Sequence, residues 1–268
     1  MTIKLTDYRI AAVVSVAALA AIGATLPPRA KAGVDCSAPA ELVKFDRPLG
    51  HMAGPLASDR PVSIVTYGSS STAGAGASSP GASYPSRLEA ELKERFFRNS
   101  IKVTNRGVGG TEMPDMIARM VETLPLDKPD LVIWQLGTNS LLRDREITPK
   151  TSDRINEGLS KIRSTGADVI LINPQYAPRV IAKAEALHMV KVIASTADRA
   201  NVNVYDRFAI MRYWRLGQNQ PFDQFLSQDG LHMNDWSYGC TAKLLANAIK
   251  EAATRPAQTA TAPAVSAR

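Results

Sequence analysis

The chain has 268 residues, 45% of them hydrophobic and 21% charged, with a formal net charge of +7. That make-up is ordinary for a folded globular protein and says little more. Lys4, Arg9, Arg29 and Lys31 against Asp7 leave +4 for the remainder, and no run of Lys/Arg or basic stripe interleaved with aromatics occurs. No nucleic-acid partner is therefore expected.

Residues 1–32 read as a secretory signal. Lys4 and Arg9 form a positive start, residues 10–26 an apolar run, and Ala30-Lys31-Ala32 a small-residue cleavage site before Gly33. The alternative is an uncleaved anchor, but an Ala-rich run of this length falls short of the about 20 residues that span a bilayer core. Asp35 directly before Cys36 argues against lipid attachment there. The expectation is a periplasmic or secreted protein with no stable membrane insertion after cleavage. Residues 33–60 carry Pro39, Pro48, Pro55, Gly50 and Gly54 and read as an irregular extension. Roughly 220 residues suffice for one α/β domain, placed at 61–253.

Within that domain strands alternate with helices. Val62-Ser63-Ile64-Val65-Thr66-Tyr67 is a β-branched run that stops at Gly68, and Leu88, Leu92 and Phe96 recur at helical spacing from about Tyr84. A second strand is expected over 101–104 and a second helix over 113–124. Leu131-Val132-Ile133-Trp134-Gln135-Leu136 has the continuous apolar character of a strand covered on both faces. Ile155, Leu159 and Ile162 mark the next helix, Val169-Ile170-Leu171-Ile172 a fourth strand, residues 180–200 one long helix, 202–205 a fifth strand and 236–253 the last helix. The Ala/Thr/Pro-rich residues 254–268 read as a disordered tail. Alternating elements predict an α/β fold of three layers, α/β/α, around a doubly wound, flavodoxin-like parallel sheet of about five strands in the order 2-1-3-4-5.

In such a sheet the site lies beyond the carboxyl ends of the strands. Four polar or Gly-rich segments arrive there: Gly68-Ser69-Ser70-Ser71-Thr72-Ala73-Gly74, Asn105-Arg106-Gly107-Val108-Gly109-Gly110-Thr111, Gly137-Thr138-Asn139-Ser140, and Asp229-Gly230-Leu231-His232. In order and spacing they resemble blocks I, II, III and V of the SGNH (GDSL-like) hydrolases. The resemblance covers about 61–253. It implies an esterase with Ser70 as nucleophile, His232 as base and Asp229 orienting it, and an oxyanion hole from the Ser70 and Gly110 backbone N–H groups and the Asn139 side chain. Two positions depart from the family pattern. Ser69 and Ser71 flank Ser70 where G-D-S-L would place Asp and Leu, and Ser140 stands where block III usually has Asp. Ser69 and Ser71 are thereby rival nucleophiles, better suited to turn and cap roles.

The chemistry agrees with the motifs. A serine hydroxyl needs an adjacent base, and His titrates in the useful range. Of three histidines, His51 lies in the extension and His188 within a helix, whereas His232 follows a carboxylate by three residues at the sheet's active edge. Alone, D-x-x-H reads equally as a turn with a capping Asp, and Gly107-Val108-Gly109-Gly110 as a flexible loop. A phosphate-cradling reading of the first loop leaves Asn139 and Asp229/His232 without roles and lacks the Lys of a P-loop. A non-catalytic family member is the other alternative. One His in the region supplies too few ligands for zinc, so no metal or other cofactor is expected.

Cys36 and Cys240 could form one disulfide in an oxidising compartment, or be unrelated thiols. The family acts on O-acetyl sugars, lysophospholipids, thioesters and aryl esters; the substrate expected here is a small-molecule or polysaccharide ester, with small acyl esters of carbohydrate favoured. Tyr84, Trp134 and Tyr176 either line the site or pack, with packing favoured for Trp134.

Overall fold

The β-branched and apolar runs form one parallel sheet. In a computed structural model, which describes residues 35–255, the strands are β1 (Val62–Gly68), β2 (Ile101–Gly107), β3 (Leu131–Gln135), β4 (Asp168–Ile172) and β5 (Asn203–Tyr205). Their order is β2-β1-β3-β4-β5 and every neighbouring pair is parallel. This is the expected flavodoxin-like order. β3 is buried at every residue, as its unbroken apolar run requires, while the edge strand β2 exposes Lys102 and keeps Ile101 inside. The signal call and residues 256–268 of the tail lie outside the described residues.

Helices cover both faces. Tyr84–Arg95 and Asp235–Thr254 pack together, and Met113–Asp127, Pro149–Arg163 and Ala186–Arg199 pack side by side. The sequence announces several of their starts. Glu112 and Asp115 form a capping box with Pro114 in the first turn, and the Asn234 side chain accepts from Ser237 N–H. Trp134 is fully buried and lies against Gly158, where a Cβ would collide with its ring, so it is a core residue. Tyr84 is also fully buried, its hydroxyl 3.4 Å from Thr72 Oγ1.

Four boundaries differ from the sequence reading. β2 runs on to Gly107 because its last residues stay in register with β1, Gly107 opposite Gly68. The single helix read over 180–200 is instead two, Pro178–Ile181 and Ala186–Arg199. Val180 and Met189 are both buried, yet nine residues at about 100° each would place them on opposite faces of one straight helix. Breaking the helix buries both. The extension read as irregular holds helices Ala40–Val43 and Gly50–Ala57, and Phe45, Leu49 and Met52 enter the core. The packed domain therefore begins well before residue 61. Thr254, placed in the tail, is the last residue of the final helix.

Cys36 and Cys240 are joined as a disulfide, Cα–Cα 5.3 Å, which ties this extension to the last helix. The Trp214 indole N–H donates to Ser37 O nearby (3.0 Å). Among the described residues no helix is long and apolar enough to cross a membrane.

Candidate active site

The Ser69-Ser70-Ser71 segment is a tight turn off the end of β1. Gly68 closes the strand, and Ser70 opens the one-turn helix Ser70–Ala73. A side chain at Gly68 would collide with Thr72 and Gln135, and one at Gly107 with the Thr72–Ala73 backbone. Glycine at both positions lets the turn sit directly on the sheet. Gln135, the one polar residue of β3, is fully buried beneath it. Its Oε1 accepts from the Ser69 backbone N–H (3.0 Å), the Ser69 hydroxyl (3.1 Å) and the Thr72 hydroxyl (3.3 Å). Asn105 Nδ2 donates to Thr72 O (2.8 Å) from β2.

This arrangement separates the three adjacent serines. Ser69 and Ser71 are each 2% exposed, whereas Ser70 is half-buried and faces outward. Ser70 Oγ lies 2.7 Å from His232 Nε2, and His232 Nδ1 lies 2.5 Å from Asp229 Oδ2. The turn carrying the last two is knit to itself: Asp229 Oδ1 accepts from the Ser227 hydroxyl (2.7 Å) and from the N–H groups of Leu231 and His232 (both 2.9 Å). Partial burial opposes the charge on Asp229. Its bonds from the imidazole, the His232 N–H, the Ser227 hydroxyl and the Leu231 N–H outweigh that and hold its carboxyl well below the usual range. A carboxylate only accepts, so the imidazole keeps its proton on Nδ1 and donates it in a hydrogen bond to Asp229, which leaves the Nε2 lone pair facing the Ser70 hydroxyl. Three groups from two segments, Ser70 after β1 and the Asp229–His232 turn, therefore lie on one hydrogen-bonded line.

The remaining predicted residues border that line. Gly110 has φ +77°, a left-handed conformation suited to glycine. A Cβ at its neighbour Gly109 would sit 3.9 Å from Ser70 Cβ, so this loop runs beside Ser70. Asn139 Nδ2 donates one N–H to Thr111 O (2.8 Å), and its amide carries a second. Glu112 links the two loops, accepting from Ser140 Oγ (3.0 Å) and Arg143 Nη1 (2.8 Å), while Arg143 Nη2 donates to Gly110 O (2.7 Å). Ser140, the departure in block III, thus finds its carboxylate on the neighbouring loop rather than in its own side chain.

A cleft of about 390 Å³ lies on the Ser140 side, walled by Glu112, Ser140, Arg145 and Arg154 together with the apolar Met113 and Met189; Asn139 does not line it. Ser70 and His232 do not line it. Tyr176 lies half-buried against Phe208 and Phe222, ring centroids 5.2 and 6.1 Å away. Among the described residues no group of three His, Cys, Asp or Glu side chains is arranged to hold a metal.

A family model of non-GDSL lipase-like proteins matches residues 35–255. The chain belongs to the non-GDSL lipase-like family. The description suits a block I in which Ser69 and Ser71 replace the Asp and Leu of G-D-S-L, and it bears out the SGNH resemblance. The match also begins at residue 35, in line with an extension that packs into the domain.

Solved structures share the fold of this lipase-like chain. A two-domain esterase active on acetylated mannans is 19% identical, with a TM-score of 0.68 over 80% of this chain and 56% of that one. A lipase/acylhydrolase from Enterococcus faecalis is 27% identical, TM-score 0.56, over 70% of this chain and 95% of that one. An acetyl xylan esterase is 20% identical, TM-score 0.58, over 69% and 98%. The chain thus spans little more than half the length of the mannan esterase. No curated protein sequence matches it.

Gln135, Glu112 and Arg143 carry no motif of their own in the sequence. Gln135 had a signal, a lone amide in an apolar strand. The others had none, since their partners lie on other segments of the chain.

Proposed function

We propose that the chain is an exported serine esterase that hydrolyses carboxylic esters through an acyl-enzyme on Ser70. The observation that carries this reading is the unbroken line from Asp229 through His232 to Ser70 Oγ. Ser70 Oγ attacks the ester carbonyl carbon while its proton passes to His232 Nε2. The negative charge that develops on the carbonyl oxygen is met by the N–H groups of Ser70 and Gly110 and the free N–H of the Asn139 amide. Asp229, held ionised by its donors, stabilises the imidazolium. His232 returns the proton to the departing alkoxide, the alcohol leaves, and Ser70 retains the acyl group. Water then attacks with His232 again as base, and the carboxylic acid departs.

Small acyl esters of carbohydrate are the proposed substrates. The cleft walled by Glu112 and Ser140 carries mostly charged and hydroxyl side chains, which suit a polar alcohol moiety, and two proteins of like fold act on acetylated mannan or xylan. Export to the periplasm or beyond rests on the signal read at 1–32, and the Cys36–Cys240 disulfide suits an oxidising compartment.

The test is hydrolysis of nitrophenyl esters of graded chain length and of acetylated oligosaccharides, with Ser70→Ala as control. Preference for acetate and loss of turnover by orders of magnitude in Ser70→Ala is the expected result. Undiminished turnover in that variant would end the assignment. Preference for long acyl chains or thioesters would instead favour a lysophospholipase or thioesterase.

A further inference from the structure

The site described above does not use one buried charge. Arg207 is 1% exposed, and among the described residues no carboxylate faces it. Its Nε donates to Asn173 O (3.1 Å) and its Nη2 to Gln175 Oε1 (2.9 Å). Around it stand the phenols of Tyr84, Tyr205 and Tyr238, and burial lowers its pKa to about 10. A buried, unpaired guanidinium is unfavourable unless its hydrogen bonds compensate.

Gln175 is fully buried, three residues past the end of β4. Its Oε1 accepts from Thr138 Oγ1 (3.0 Å) as well as from Arg207, and its Nε2 donates to Leu231 O (3.2 Å). Thr138 is the residue before Asn139 and Leu231 the residue before His232. One carboxamide therefore joins the segment that carries the oxyanion amide to the segment that carries the base. A free carboxamide could rotate and exchange its two ends. Arg207 prevents this, because a guanidinium only donates and so demands the oxygen. With Oε1 fixed toward Arg207 and Thr138, the N–H is left toward Leu231 O.

We infer that Gln175, oriented by Arg207, is a positioning residue that sets the separation between Asn139 and His232. The inference rests on the esterase reading. It also accounts for the missing acid. A glutamate at 175 would neutralise Arg207 but would turn a carboxylate oxygen on the Leu231 carbonyl, repelling the segment that holds His232. The fold keeps an unpaired charge and retains the donor.

Gln175→Glu separates positioning from stability. Beside Arg207 the new carboxylate stays ionised and supplies the ion pair that the native protein lacks, so thermal stability should hold or rise. Catalysis should fall: kcat for nitrophenyl acetate drops by about 10²-fold, the scale of a 1 Å misplacement of reacting groups, with KM changed by less than about 2-fold. Labelling of Ser70 by a fluorophosphonate, which needs no turnover, should slow in parallel. Thr138→Val, which removes one donor to Oε1 and nearly preserves shape, is the second variant should Gln175→Glu not fold. It should lower kcat by about 10-fold and Tm by only about 2–4 °C, both on the scale of one buried hydrogen bond. Wild-type protein and Ser70→Ala are run alongside. Wild-type rates of turnover and labelling in either folded variant overturn the positioning role and leave the esterase reading standing. A wild-type protein with no Ser70-dependent turnover or labelling overturns both.

Discussion

Asp229→Asn tests the line at its far end. The substitution keeps an Oδ1 that accepts from Ser227, Leu231 N–H and His232 N–H, the three bonds of 2.7–2.9 Å that shape the turn. What changes is the atom 2.5 Å from His232 Nδ1, now an amide that donates. The imidazole answers by placing its proton on Nε2, so the nitrogen 2.7 Å from Ser70 Oγ meets the hydroxyl as a donor and cannot take its proton. In the serine protease triad the corresponding change lowers kcat by about 10⁴-fold, or roughly 5.5 kcal/mol of barrier. A similar loss is expected here, with KM little altered and the thermal midpoint within a few degrees, since the turn's backbone bonds remain. Steady-state hydrolysis of nitrophenyl acetate and a calorimetric scan measure both. A folded variant retaining more than about a tenth of wild-type kcat would refute the claim that Asp229 sets the working tautomer.

Further expectations concern separate parts of the molecule. Asn139→Ala removes one of three donors to the oxyanion and should lower kcat by about 10²–10³, measured as above; Ser69→Ala leaves the nucleophile but loses a bond to Gln135, so its loss should be nearer 10-fold. Replacing Cys36 and Cys240 together by Ser opens a bridge between residues 204 apart in sequence, and denaturant unfolding should show a loss of about 2–5 kcal/mol. Asp168 is shifted upward, first by burial, against bonds from Met52 and His51 N–H. A carboxyl raised in the folded state binds its proton more readily there than in the unfolded chain, so its charge burdens the fold at neutral pH. That burden eases as pH falls through the raised value. Asp168→Asn, which keeps an acceptor for Met52 N–H (3.0 Å in the native protein), should be more stable than wild type at pH 7, with the gap narrowing toward pH 4 in thermal melts. A gap that widens on acidification would reverse the sign of the argument.

Local chemistry carried the strand and helix pattern into view from the sequence. The run Leu131-Val132-Ile133-Trp134-Gln135 needs no partner to read as a buried strand, because period and side-chain type are properties of the segment. The same holds for the Gly68 turn and for the i, i+3 spacing of Asp229 and His232, whose bonds close within six residues, 227–232. From such segments alone the layers, the strand order and the edge of the sheet that gathers the polar loops could be reasoned out. Which of three adjacent serines faces the base came from the block I resemblance and not from local chemistry, because it depends on Gln135, 66 residues away, drawing Ser69 inward. The break between Ile181 and Ala186 was hidden for a like reason: every residue between them favours helix, and only the need to bury both Val180 and Met189 interrupts it. The Cys36–Cys240 bridge, the packing of 35–60 into the core and the Arg207–Gln175 brace belong to the same class. Each joins residues tens to hundreds of positions apart, and the free energy that decides such contacts is packing against the whole assembled sheet, which no short window of sequence contains.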